Sequence, residues 1–295
     1  MSKNLFFAGL VLMFATGCSK ESDNEVKSND ALVPVTVHLD GFTTTQEDFD
    51  VTRTATSISS NSDLNAVVLA FYNGSTETYK VVQLKNDATT YTTFGTFNLN
   101  LPMGSYTMVA IAYRDHETGL FGLTSPTSAT YAGDHAFDTF VKTQTVNITT
   151  TDPVDVSATL NRVISRLQVV STDGRTADVA NVRMTLSAGG RSFNPTTGLA
   201  TVNTGFANTV TNKADVGTTS SSLTNFFLST DEQTMNVTIE TLNANGGVIR
   251  STTVNNVPFK RNRVTVLTGP LYNDLHSTGT FLIEAEWLAA ENIAF

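Results

Sequence analysis

Along most of this chain apolar and polar residues alternate one for one, the period of a strand with one buried face. Val33 to Gly41, VPVTVHLDG, is the clearest case. Val33, Val35, Val37 and Leu39 fall on one side, with Pro34, Thr36, His38 and Asp40 on the other. Pro34 has no N–H for a ladder bond, so it belongs at an edge or a strand start. Asn65–Tyr72 carries instead the near-continuous apolar run AVVLAFY, which predicts a fully buried strand. Asn73-Gly74-Ser75 is a turn, and strands follow at Tyr79–Leu84, Tyr91–Leu101 and, past Pro102-Met103-Gly104, Ser105–Tyr113. Arg114 to Phe140 reads as irregular. Lys142–Ile148 and Val154–Leu160 bring the count to about seven, the number of one sandwich.

A second unit opens at Arg162–Val170, RVISRLQVV. Val179–Ser187, Gly198–Asn203 and Leu223–Ser229 continue it, while Phe206 to Ser222, rich in Thr, Ser and Asn, reads as loop. Met235–Leu242 and Val248–Val254 flank an Asn243–Gly247 turn and predict a hairpin. Val264 and Val266 share one side of the next strand, with Leu271, before Gly269-Pro270 breaks it. In Phe281–Leu288, Phe281, Ile283, Ala285 and Trp287 share one face, and Leu282, Glu284, Glu286 and Leu288 the other. No stretch sustains a helical period. The chain is expected to be all-β, in two β-sandwich domains at residues 33–160 and 161–295.

The N-terminus breaks the alternation. Met1-Ser-Lys3 is a short basic start, Leu5 to Phe14 is apolar, and Ala15-Thr16-Gly17 precedes Cys18, the single cysteine of the chain. This is the layout of a secretory signal, too short and wrongly flanked for a transmembrane helix. It resembles a bacterial lipobox, which implies cleavage between Gly17 and Cys18 and acylation of the cysteine. The alternative, an ordinary cleaved signal, would leave a free thiol in an exported protein. Each buried CH2 contributes about 0.8 kcal/mol, so two or more chains form a stable anchor. Residues 18–32, polar and without periodicity, form a tether.

Composition narrows the function. At 40% hydrophobic and 15% charged, the 295-residue chain folds rather than staying disordered. Its 27 acids outweigh its 18 bases; removing Lys3 with the signal leaves 27 against 17, a net charge of −10. That balance speaks against nucleic acid as a partner. With Cys18 acylated there is no disulfide and no thiolate metal site. His38, His116, His135 and His276 show no metal-ligand spacing, and there is no G-x-S-x-G elbow or glycine-rich phosphate loop. Glu284 and Glu286, on one strand face, read as a solubilising pair. No enzyme activity, metal or cofactor is expected. Tyr113, Phe121, Tyr131, Phe137 and Phe140 gather in or beside the irregular stretch, where they either plug the end of a core or stack on sugar rings.

Several passages carry a family likeness: the lipobox at Cys18, VPVTVHLDGF, TRTA at Thr52–Ala55, LPMGSYTMVA, LNRVISRLQVV and, above all, NVPFKRNRVTVLTGPLYN at Asn256–Asn273. In order and spacing the chain resembles the fimbrillin superfamily of Bacteroidetes, lipoproteins that build or anchor type V pili. The resemblance implies two tandem transthyretin-like Greek-key sandwiches, and Lys20-Glu21-Ser22-Asp23 resembles the acidic export signals of surface lipoproteins in that phylum. In polymerising members a protease cuts after a basic residue in the loop beyond the first strand. Loss of that strand opens an apolar groove, which a neighbouring subunit's terminal strand fills by strand addition.

Carried onto this chain, Arg53 is the cut site and Thr54 the new N-terminus. Arg53 is the sole basic residue of the long polar stretch Phe42–Asp63, where a protease finds easy access. Val33, Val35, Val37 and Leu39 are the displaced strand, and Phe281, Ile283 and Trp287 the donor strand. The implied partners are other fimbrial subunits, the outer membrane through the lipid, and host or bacterial surface ligands. The alternative is a glycan- or host-ligand-binding surface lipoprotein that does not polymerise. The first expectation is checked by metabolic labelling with palmitate: Cys18→Ser should abolish the label and release the protein from membranes.

Overall fold

The computed structural model describes residues 31–43, 64–87, 93–114, 119–273 and 282–284. The signal segment with Gly17 and Cys18, the 20–23 run, Arg53, Thr54, Phe281 and Trp287 lie outside the described residues. Within them the protein is all-β and has no helix, so none is long and apolar enough to cross a membrane.

Among the described residues the chain up to residue 162 forms nine strands: β1 (Leu32–Thr43), β2 (Ala66–Asn73), β3 (Thr76–Leu84), β4 (Thr96–Pro102), β5 (Gly104–Tyr113), β6 (Phe121–Ser125), β7 (Ser128–Tyr131), β8 (Thr139–Ile148) and β9 (Val154–Arg162). Seven make one sheet, in the order β3-β2-β5-β8-β9-β1-β4. Its two wings meet where β8 and β9 pair, at Phe140↔Arg162 and Val141↔Asn161. Because that join is short, the wings fold over each other. Inward side chains of β1, β4 and β9 share one core with those of β2, β5 and β8, so the sheet is a sandwich joined along one side. Arg162 fixes the join: its guanidinium donates to both oxygens of Asp138, at 2.9 and 3.0 Å, and lies 4.6 Å above the Phe140 ring.

Ten strands follow: β10 (Ser165–Ser171), β11 (Asn181–Leu186), β12 (Ser192–Asn194), β13 (Leu199–Ala200), β14 (Phe206–Thr211), β15 (Ser221–Phe226), β16 (Glu232–Leu242), β17 (Val248–Lys260), β18 (Val264–Gly269) and β19 (Leu282–Glu284). Two four-stranded sheets, β15-β10-β18-β19 and β14-β11-β16-β17, close on a second core containing Leu167, Met184, Phe226, Ile239 and Phe259. The chain leaving β18 is pinned by Asp173. Its carboxylate accepts from the N–H groups of Leu271, Tyr272 and Asn273 at 2.8, 2.9 and 2.7 Å.

A third layer ties the early strands to the late ones. β7 pairs with β12, at Ser192↔Thr130 and Phe193↔Ala129, within the small sheet β13-β12-β7-β6. This layer covers the outer face of β2 and β5. Val68, Tyr72, Val109 and Ile111 there share a core with Leu123, Tyr131, Phe193 and Phe227. Hence Ala66 to Tyr72 is buried at every position: odd residues enter the first core and even ones the third. Phe227 stacks on Phe193 at 4.3 Å and faces Tyr131 at 6.3 Å. Its backbone exchanges two hydrogen bonds with Gly190, where a Cβ would sit 2.2 Å from the Val202 carbonyl.

The all-β sandwich expected from alternation is the fold observed, with four local differences. Arg114–Phe140 is not wholly irregular, since it contains β6 and β7. Phe206–Ser222 is not a loop throughout: it holds β14 and the start of β15. The Tyr91–Leu101 strand begins at Thr96. Finally, Val264 and Val266 are half-buried on the outer face, and Thr265 and Leu267 point into the core with Leu271. Thr265 tolerates burial because its hydroxyl donates to the Pro258 carbonyl at 3.0 Å. Phe227→Ala should lower the free energy of unfolding by about 3–5 kcal/mol, measured by urea titration, because the ring is fully enclosed.

Candidate functional site

β1 is central, not peripheral. It runs antiparallel to β4 from Leu32↔Pro102 to His38↔Thr96, and parallel to β9 from Val35↔Val154 to Thr43↔Asn161. Of the two places expected for Pro34, the structure shows the strand start and not a sheet edge: it is the third residue of the central β1, opposite Asn100 and before the β9 pairing begins. The missing donor costs nothing on the β9 side there. Between Leu39 and Gly41 the register shifts, leaving Asp40 as a bulge. Gly41, at φ 156°, supplies a backbone angle that other residues rarely adopt.

The alternation read from the sequence translates directly into burial. Val33, Val35, Val37 and Leu39 are 0, 1, 0 and 5% exposed, all within the first core. Pro34 and Asp40 are exposed, and Thr36 and His38 half-buried. Thr36 donates to the Asn98 side chain at 3.2 Å. Close by, the Tyr106 hydroxyl donates to the Pro102 carbonyl at 2.9 Å, and burial raises that phenol's pKa above its ordinary value. Each of the four inward side chains contributes about 1.5–3 kcal/mol by burial, hence roughly 6–12 kcal/mol together. That range is comparable with the whole net stability of a domain, about 5–15 kcal/mol. β1 therefore does not leave its slot by ordinary fluctuation while nothing replaces it. The slot itself has Phe97, Leu99 and Leu101 on one side and Val156, Ala158 and Leu160 on the other.

The other sequence-derived residues fall in different places. Ile283 lies in β19, opposite Leu267 of β18, so its backbone pairs within its own chain at the edge of a second-half sheet. The structure does not bring it to the β1 slot. The aromatic group is an interior one. Tyr113, Tyr131 and Phe140 are 4, 3 and 1% exposed, and Phe121 and Phe137 pack half-buried against the third core. Phe121 sits 4.3 Å from Tyr113 and 4.9 Å from Tyr131, and the Tyr131 hydroxyl bonds Thr139 at 2.7 Å. The buried rings of Tyr113, Tyr131 and Phe140 offer no face to a sugar. Sequence reading missed Phe193 and Phe227, which complete this cluster from the second half. For Phe193 the signal was its isolation among small polar residues and for Phe227 the run Phe226–Leu228, but only the pairing of β12 with β7 gives them meaning. His135 bonds its neighbour Asp134 at 2.6 Å. Among the described residues no group of three or more His, Cys, Asp or Glu could hold a metal.

Comparison with known proteins adds the following. The profile of a family of unknown function, DUF6562, matches residues 29–285. No curated protein matches the sequence. Among solved structures, a candidate adhesin from Bacteroides ovatus superposes with a TM-score of 0.51 at 10% identity, over 88% of this chain and 96% of its own. A second candidate adhesin from that organism superposes with 0.50 at 12% identity, over 82% and 88%. The fimbrial anchor protein Mfa2 from Porphyromonas gingivalis is similar at 0.48 and 13%, over 87% and 98%. The likeness to the two Bacteroides ovatus structures is one of fold.

The seating of β1 by one face is checked with a pair of variants in urea unfolding. Leu39→Ala should cost about 2–5 kcal/mol, and Thr36→Ala no more than about 0.5 kcal/mol.

Proposed function

The chain belongs to the family of unknown function DUF6562, and we propose that it is a lipid-anchored subunit of a surface fibre, joined to its neighbours by strand addition and supporting adhesion. The carrying observation is the slot of β1. A single N-terminal strand lies between two others, fills a core with four alternating side chains, and is followed by a long polar stretch containing Arg53. Removing such a strand leaves backbone donors and acceptors unpaired along both walls and an apolar floor between them. An extended segment of alternating pattern satisfies both needs at once. Phe281, Ile283 and Trp287 carry that alternation, which supports their role as the inserted strand of a neighbouring subunit.

In this reading Arg53 is cleaved, Thr54 becomes the N-terminus, and residues from Cys18 to Arg53, β1 among them, depart with the lipid. A subunit left uncut stays held at the outer membrane through Cys18. The similarity of the fold to candidate adhesins of Bacteroides ovatus supports a place at the cell surface. The partners are then fimbrial subunits and surface ligands of host or bacterial origin. The buried aromatic cluster offers no support to a non-polymerising glycan binder.

The test is the N-terminus and mass of the protein from native membranes and from sheared surface material. A form beginning at Thr54 in heat-resistant ladders is expected. A single acylated species beginning at Cys18, monomeric and absent from any fibre, would overturn assembly by strand addition.

A further inference from the structure

In each half the strand by which the chain enters lies parallel to a late strand of that half: β9, the last of the first half, and β18, the last but one of the second. β1 enters the first and pairs in parallel with β9, through eight registered positions from Val35↔Val154 to Thr43↔Asn161. β9 passes through Val163 and Ile164, both 3% exposed, into β10. β10 enters the second sandwich and pairs in parallel with β18, through six positions from Arg166↔Val264 to Ser171↔Gly269. Each entry strand is also central, held on its other side by β4 or β15.

The direction of these ladders decides how they respond to tension. In a parallel pair the start of one strand and the end of the other lie at opposite ends. Pulling the chain upstream of β1 and downstream of β9 therefore slides the two strands along each other. All the evenly spaced ladder bonds are loaded together, and a slip of about one residue rise, roughly 3.3 Å, must break the whole set. An antiparallel hairpin pulled from its two open ends instead opens bond by bond. The same reasoning holds for β10 and β18. For a load applied between the chain upstream of β1 and Asn273, the other strands of each half lie outside the path as inserts, and β19 lies beyond it.

Two features brace the exits. At the end of β9, Arg162 makes its forked bond to Asp138. Just past β18, three consecutive N–H groups donate to Asp173, two residues beyond the end of β10. Tension leaving β18 is thus passed by charge-assisted bonds to the strand that brought it in.

From these registers we infer that the protein is a load-bearing element, with β1–β9 and β10–β18 as two shear clamps in series that carry tension between the start of β1 and the end of β18. This goes beyond the fibre-subunit reading and stands on the topology alone, whether or not β1 is exchanged.

Single-molecule pulling tests it through the cysteine the chain already has. The unacylated full chain is held at Cys18 and at a second cysteine introduced on an exposed residue. With Asn273→Cys the load crosses both clamps in shear. With Asp152→Cys, just before β9, the load peels β1 from the end where both strands begin. The shear geometry should rupture at several-fold higher force at equal loading rate, because forced unfolding reads the barrier to unfolding rather than the equilibrium stability. Equal forces in the two geometries, or a lower force for Asn273→Cys, would overturn the clamps. Failure of the fibre reading would leave this outcome unchanged.

Discussion

A strand apolar on both sides must be covered on both sides, and Ala66 to Tyr72 imposes that requirement on everything around it. One face is satisfied by folding the seven-stranded sheet over itself. The other needs a cover that the first half cannot supply alone. The β6–β7 hairpin covers part of it, and β12, Phe193 and Phe227 from the second half complete the layer. The joint between the halves follows from the hydrophobicity of one strand. One cysteine cannot form a disulfide within the chain, so burial and hydrogen bonding are left to hold that joint.

Legibility in the sequence follows the same division. Strands with a sustained alternation, such as Val33–Leu39, and the Met235–Val254 hairpin with its Asn243–Gly247 turn, could be read from local pattern alone. β6, β7, β12 and β14 could not. They are short, and β7 owes its place to pairing with a strand some sixty residues away. The faces of β18 were misread for a different reason: the side chain that decides the matter is Thr265, whose hydroxyl finds a carbonyl inside. Period counts hydrophobicity and does not see a partner. Of the candidate site, the four inward residues of β1 were legible to the residue. The enclosure of Tyr131 and its neighbours was not, because two of the enclosing rings come from elsewhere in the chain.

A strand can be both indispensable and replaceable. The four side chains of β1 represent a share of stability comparable with the total for a domain, yet what they offer is generic: extended backbone and an apolar residue at every second position. Any segment with those two properties supplies most of what the slot needs. Strong dependence on a generic strand is the physical condition for exchanging one between molecules.

The bulge at Asp40 limits that generality. Up to Leu39, odd-numbered positions meet the core; past the shift, residue 42 stands opposite Leu160, whose side chain is in the core. An incoming strand of unbroken alternation therefore matches the slot only as far as its fourth apolar residue, after which it runs out of phase. If β1 is exchanged as proposed, the groove would work as a ruler as well as a socket, selecting inserts by where their pattern stops.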